Sequence, residues 1–174
     1  MRYYSMRRDS IILIGMAGVG KSTVGRELSE ALGYRFVDLD ICLEEEHGQT
    51  PQEIIDAEGE SVFLAREKRC MQGLALDRTV VAPGGSIIYH TDLMAELGHR
   101  STLVYLEDTF ENISSRVTNQ SSRGIVGLKD KTLRQVLDER LDLYSTHAHI
   151  KIDCRDKQPA QIAQEVAQWL KSGS

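Results

Sequence analysis

The chain has 174 residues, 41% hydrophobic and 27% charged, the proportions of one globular domain around one core. Its 21 lysines and arginines against 26 aspartates and glutamates give a net charge of −5, so the cationic surface that drives nonspecific nucleic-acid binding is missing. No apolar run approaches the ~20 residues that span a bilayer. Cys42, Cys70 and Cys154 lie far apart without the paired spacing of a zinc site or disulfide framework, which predicts a reducing, cytoplasmic setting.

In chain order, the first apolar run, 11–14, is short enough for a buried strand. Arg2, Arg7 and Arg8 ahead of it imitate the charged start of a signal peptide, but it leads into Gly20, Lys21 and Ser22 with no small-residue cleavage site, and we read it as mature sequence. A helix is predicted over 21–32, with Val24, Leu28 and Ala31 at helical spacing. Further strands are predicted around Phe36 and Val37, at 80–82, at 103–106 and at 150–154. A last helix opens at Pro159 and carries Ile162, Val166 and Leu170 on one face. Strands alternating with helices predict βαβ units and a mainly parallel sheet covered on both faces, an α/β fold in three layers. No repeat or Gly/Ser/Pro-rich linker divides the chain, so 1–174 is read as a single domain. The polar stretch at about 118–131, opening with Thr118, Asn119, Gln120, Ser121, Ser122, Arg123 and Gly124, is long for a connection in a compact domain. It reads as a lid or as a surface excursion, and the charge of Arg123 favours the lid.

Gly15-Met16-Ala17-Gly18-Val19-Gly20-Lys21-Ser22 fits G-x-x-x-x-G-K-[ST] between a predicted strand and a predicted helix. Its glycines let successive backbone N–H groups point at phosphate oxygens, and the helix start adds positive potential. Lys21 bridges the outer phosphates and the Ser22 hydroxyl can ligate Mg²⁺. A chance turn or a degenerate loop has no reason to keep that Lys and Ser. The expected ligand is a nucleoside triphosphate with magnesium, but kinases, switches and motors share the loop. A small-molecule kinase needs in addition a base at the acceptor hydroxyl, groups that hold the acceptor and a mobile cation. Asp38-Leu39-Asp40 ends the second strand, with both carboxylates on one side if the extended backbone persists. One can orient magnesium through its water shell while the other takes the acceptor's proton; a helix N-cap or solvated turn explains the pair equally well. Arg123 on a closing lid can offset developing charge, or it is an exposed loop arginine.

In these residues the chain resembles the shikimate kinase family over nearly its whole length. Residues 15–23 match the family's phosphate loop, which adds Thr23, and Asp38 and Asp40 match its D-x-D. Gly84 and Gly85 match the start of its Gly-Gly-Gly turn, and Arg140, Tyr144 and Ala148 match its R-x-x-x-Y-x-x-x-A. Arg116 and Arg123 look like its adenine-side and lid arginines. The resemblance implies a five-stranded parallel sheet in a P-loop NTPase of nucleoside monophosphate kinase type, a mobile lid, ATP as donor and a monomer. It implies Asp40 as base, Asp38 in the magnesium shell, and Gly84, Gly85, Ser86 and Arg140 at the acceptor. Arg155 would stack on adenine as the family's C-terminal loop does. On the residues alone, Arg140 reads equally as an exposed ion pair with Asp138, Glu139 or Asp142.

The departures fall on the acceptor side. The family's G-E-x-x-F-R-x-x-E segment, whose arginine grips the substrate carboxylate, reads Gly59-Glu60-Ser61-Val62-Phe63-Leu64-Ala65-Arg66-Glu67, with Leu64 in the arginine's place. Arg66 is not a direct stand-in, because two residues turn a helix by ~200°. Loss of one bidentate grip costs about ten- to a hundredfold in affinity. Ser86 replaces the third glycine of the turn and Pro83 precedes it, while Gly124-Ile125-Val126 replaces Pro-Leu-Leu after the lid arginine and predicts a more flexible junction.

Other residues are read without a role in the chemistry. His147 and His149 lack a third metal ligand and read as a strand entry, and His47, His90 and His99 have no nucleophile to serve. Tyr3 and Tyr4 read as a solvated terminus, Trp169 as packing, and the acidic run 44–46 as the solvated start of a helix. The expected function is ATP-dependent phosphotransfer to a hydroxyl of a small metabolite, shikimate by resemblance. Lys21, Mg²⁺ and Arg123 would stabilise charge, and Asp40 would be the base. The alternatives are a different acceptor such as homoserine, a catalytically silent nucleotide-binding module, and, with only one lid arginine to support it, a nucleoside monophosphate kinase.

Overall fold

The computed structural model describes residues 8–118 and 124–172. The five apolar runs form β1 (Ile11–Ile14), β2 (Arg35–Asp38), β3 (Thr79–Ala82), β4 (Thr102–Glu107) and β5 (Ile150–Asp153). All pair in parallel in the order β2-β3-β1-β4-β5, with Ile11 of β1 opposite both Val80 and Thr102. Between the strands run α1 (Lys21–Leu32), α2 (Leu39–His47), α3 (Pro51–Glu58), α4 (Glu60–Gly73), α5 (Thr91–Arg100), α6 (Phe110–Thr118) and α7 (Leu133–His147), and α8 (Pro159–Ser172) closes the chain. Among the described residues no helix is long and apolar enough to cross a membrane.

The central strands are buried on both faces, which is why they read as continuous apolar runs. The pleat divides them between two cores. Ile11, Leu13, Val80, Val104, Leu106 and Ile152 pack against Val24 and Leu28 of α1 and Ile162 and Val166 of α8. Ile12, Ile14, Val81, Leu103 and Tyr105 face the other way, against Leu39, Met71, Leu93, Met94, Leu97 and Tyr144. α1 stops at Gly33, whose N–H bonds the carbonyls of Glu30 and Ser29, and α3 and α7 each begin with a capping box, Thr50 with Glu53 and Thr132 with Gln135.

Three local expectations change. The extended backbone does not continue to Asp40: β2 ends at Asp38, whose carboxylate accepts the Asp40 N–H at 3.1 Å and caps α2. Asp40 therefore stands in the first turn of that helix, and the acidic run 44–46 lies in its later half, not at its start. The junction at 124–126 is held, not loosened. A Cβ on Gly124 would lie 2.8 Å from the Gln52 nitrogen and the Pro51 carbonyl carbon, so glycine there permits contact with α3. Beyond it Ile125 packs with Met16, Ile113 and Leu137, Val126 packs with Leu43, Ile54 and Phe63, and the Gly127 N–H donates to Glu60 Oε1 at 2.6 Å.

Candidate active site

The site lies at the carboxyl edge of the sheet, where parallel α/β folds bind ligands. β1 runs into the glycine loop and the loop into α1. Gly15 takes φ +146° where a Cβ would meet the Leu106 carbonyl oxygen at 2.6 Å, so the turn out of the strand requires glycine. No side chain caps α1, which leaves its positive end to a ligand. Lys21 is buried and its Nζ donates to the Gly15 and Met16 carbonyls at 2.8 and 3.0 Å, which holds the ammonium inside the loop.

One side of the loop opens on a hollow of about 280 Å³ lined by Gly18, Val19, Gly20, Ser22, Thr23, Asp108, Arg116, Lys157, Gln158 and Pro159. Arg116 is fixed across its rim, donating to the buried Asp108 carboxylate at 2.9 Å and to the Gly18 carbonyl at 3.3 Å. Asp108 also accepts the Thr109 N–H and the Asn112 amide, so the anchor is rigid. Asp108, Lys157 and Gln158 were not legible as site residues, since nothing in their local sequence marks them. Arg155 is placed elsewhere: it is exposed, its Nε donates to both Asp153 oxygens at 2.9 Å, and it does not line the hollow. That contact holds the Asp153 carboxyl well below the usual carboxylate range.

The other side of the loop opens on a tighter hollow of about 30 Å³, lined by Ala17, Gly18, Lys21, Ser22, Asp38, Asp40, Pro83, Gly84, Gly85 and Gly124. Gly18 and Ser22 line both hollows, so the loop is the shared wall between them. Arg140 stands behind Gly85, where a Cβ would lie 3.0 Å from its Nη1. It is 1% exposed, so the surface ion-pair reading fails. Its Nη2 donates to the Val126 carbonyl at 2.8 Å, its Nε donates to the Tyr89 hydroxyl at 3.1 Å, and its guanidinium lies over the Tyr89 ring at 4.9 Å. Burial opposes its charge, yet the Tyr144 and Tyr89 oxygens keep its pKa above the ordinary arginine value. Among the described residues no carboxylate pairs with it; neighbouring Glu139 takes Tyr89 and Lys131 instead. A buried guanidinium without an acidic partner favours an anionic ligand. Tyr144 positions the turn by donating to the Gly85 carbonyl at 2.7 Å, and its ring stacks on Tyr105 at 5.2 Å.

Leu64 is half-buried against the apolar cluster of Leu43, Ile54, Phe63 and Val126. The neighbouring cations are engaged elsewhere, Arg66 with Glu58 at 2.8 Å and Lys68 with Asp92 at 2.7 Å. Ser86 does not line the tighter hollow; its hydroxyl donates to the completely buried Glu67 at 2.8 and 3.0 Å. Burial pushes the Glu67 carboxyl up to about 8. One signal could have singled out Glu67 from sequence: it shares the buried stripe of α4 with Phe63 and Met71, where an acid is out of place. His149 Nδ1 accepts the Leu103 N–H at 2.9 Å, a strand-entry role, and among the described residues no three His, Cys, Asp or Glu side chains could hold a metal. Arg123 lies outside the described residues, as do Tyr3 and Tyr4.

The chain is similar to known proteins over nearly its whole length. The shikimate kinase family model matches residues 17–171. The chain is 38% identical over 165 residues to a shikimate kinase of Gloeobacter violaceus, covering 92% of each, and 36% identical over 166 residues to one of Thermobifida fusca, covering 94% of this chain and 95% of that protein. Among solved structures, a shikimate kinase from Acinetobacter baumannii in complex with shikimate matches with a TM-score of 0.89 at 32% identity, over 97% of this chain and 96% of that one.

Proposed function

Since the chain belongs to the shikimate kinase family, we propose that it is an ATP-dependent kinase that transfers the γ-phosphoryl group of ATP to a hydroxyl of shikimate. The observation that carries this reading is the pair of hollows sharing Gly18 and Ser22, one roomy enough for a nucleoside and the other holding two carboxylates. In it, the adenine lies against Arg116 and the phosphates lie along the loop, where Lys21 exchanges the Gly15 and Met16 carbonyls for the outer phosphate oxygens. Asp40 accepts the proton of the acceptor hydroxyl as its oxygen bonds the γ-phosphorus and the bond to the bridging oxygen of ADP breaks. Arg140 and the Gly85 turn hold the acceptor, with the acceptor's carboxylate on the guanidinium. Arg123, in the lid at about 118–131, offsets the charge that develops.

Ser22 and Asp38 present a hydroxyl and a carboxylate to the same hollow, a hard-oxygen donor set that fits Mg²⁺. They would hold the ion, which supplies charge neutralisation at the phosphates when bound. In this reading the working unit is a monomer in a single domain, and the three free cysteines suit a reducing, cytoplasmic setting.

The test is ADP formation with Mg²⁺ and ATP, comparing shikimate, homoserine, a nucleoside monophosphate and no acceptor. Turnover that depends on shikimate is expected. Turnover with another acceptor alone, or none with any despite ATP binding, overturns the proposal.

A further inference from the structure

Glu67 is completely buried, and among the described residues no arginine or lysine lies within ion-pair distance of it. Its oxygens accept the Ser86 hydroxyl, and His90 Nε2 stands 3.9 Å away with no hydrogen bond of its own. The carboxyl lies just behind the wall of the acceptor hollow, which it does not itself line. A Cβ on Gly84, which lines that hollow, would lie 2.5 Å from Glu67 Oε1 and 3.5 Å from Asp40 Oδ1. Leu64 precedes Glu67 by three residues on α4, the spacing at which a cationic side chain would stand beside the carboxyl. Leucine instead joins the apolar cluster with Phe63 and Val126. Two departures from the family pattern thus meet at one group: Leu64 withholds a cation and Ser86 supplies a hydroxyl.

We propose that Leu64, Glu67 and Ser86 form one specificity-determining unit, in which full burial with no cation at position 64 keeps Glu67 an uncharged acid behind Gly84, Ser86 fixes the place of its oxygens, and Arg140 is left to pair with the acceptor's carboxylate. Glu67 is a positioning residue here, and its ionisation weakens binding of an anionic acceptor. The charged and titratable groups around it come from each packed element: Lys21 on α1, Asp40 on α2, Cys70 on α4, His90 before α5, and Arg140 and Tyr144 on α7. Burial dominates and raises the carboxyl; Ser86, Arg140 and Lys21 oppose it, and Asp40 adds to it. His90 titrates below its usual value because it is buried, so it offers no compensating charge near neutrality. At neutral pH the hollow therefore has its Asp38 and Asp40 carboxylates without a further anion behind Gly84. Above about 8 that further anion forms and repels an acidic acceptor.

This inference rests on the acceptor reading of the hollow, so the first measurement uses no substrate. The carbon-13 shift of the Glu67 carboxyl, assigned with Glu67→Gln, is titrated in the ligand-free protein. A midpoint near 8 is expected, moving down in Leu64→Arg and up in Ser86→Ala. A midpoint near the ordinary 4.5, or variants that move it the wrong way, overturns the proposal whatever the enzyme phosphorylates. The second measurement is the dissociation constant of shikimate across the same pH range. A rise of roughly tenfold through the Glu67 midpoint is expected, absent in Glu67→Gln, with the ATP dissociation constant unmoved. A flat profile, or the same rise in Glu67→Gln, overturns the specificity role. No shikimate binding at any pH beside a normal Glu67 titration overturns the choice of acceptor and the role with it, and leaves the acid–alcohol pair standing.

Discussion

The half of the cleft proposed for the nucleotide is built largely from backbone and the half proposed for the acceptor from side chains, and the two halves differ in how far they follow the family pattern. On the nucleotide side the loop needs glycines, Lys21 and Ser22, the uncapped start of α1 supplies the rest, and Arg116 is locked by Asp108. On the acceptor side Asp40, Glu67, Ser86 and Arg140 come from α2, α4, the turn after β3 and α7, and Glu67, Ser86 and Arg140 are held by hydrogen bonds to other elements. Backbone recognition of phosphate survives a change of neighbours because any residue carries an N–H. Recognition of a carboxylate and a hydroxyl requires particular side chains, so one replacement such as Leu64 changes the pocket.

Asp40→Asn gives the largest expected effect, a fall in kcat of ~10²–10⁴ with ATP binding retained, because only the acceptor side loses a group. An equal loss of ATP affinity would break the division between the halves. Leu64→Arg comes next: a second cation at the acceptor lowers the KM for shikimate by about ten- to a hundredfold and leaves the KM for ATP alone, as steady-state kinetics would show. Gly124→Ala presses a Cβ into the α3 backbone, and we expect a loss of about 1–3 kcal/mol in urea unfolding. No change there would mean that α3 gives way easily.

A further effect is on stability against pH. The folded-state pKa of Glu67 is raised, so the folded protein holds a proton that the unfolded chain has released. Its contribution is full below the unfolded value near 4.5 and is lost as pH rises to about 8. The melting temperature of the parent should fall across that window more steeply than that of Glu67→Gln, and parallel curves would remove Glu67 as the cause.

How much was legible depends on the range of the interactions involved. The strands and the phosphate loop follow from neighbours in sequence: the run at 11–14 is apolar because it is buried on both faces, and the loop that follows shapes itself. Asp38 and Asp40 were found as a pair with an extended arrangement and a helix N-cap both left open, and the choice is settled by the Asp38 carboxylate turning back on the Asp40 N–H. Arg155 sits in sequence where an adenine-stacking residue is expected, yet a carboxylate two residues away captures it.

By itself the sequence determined the α/β alternation, the place of the phosphate cradle and its chemistry, since these depend on local periodicity, on glycine and on a contiguous motif. Only the tertiary structure decided that Arg140 is buried without an acidic partner among the described residues, that Gly124 closes on α3, and that Ser86 meets Glu67 across 19 residues of chain. The reason is physical: burial and the pairing of charges are set by which surfaces the folded chain brings together, and a side chain in isolation carries no record of its partner.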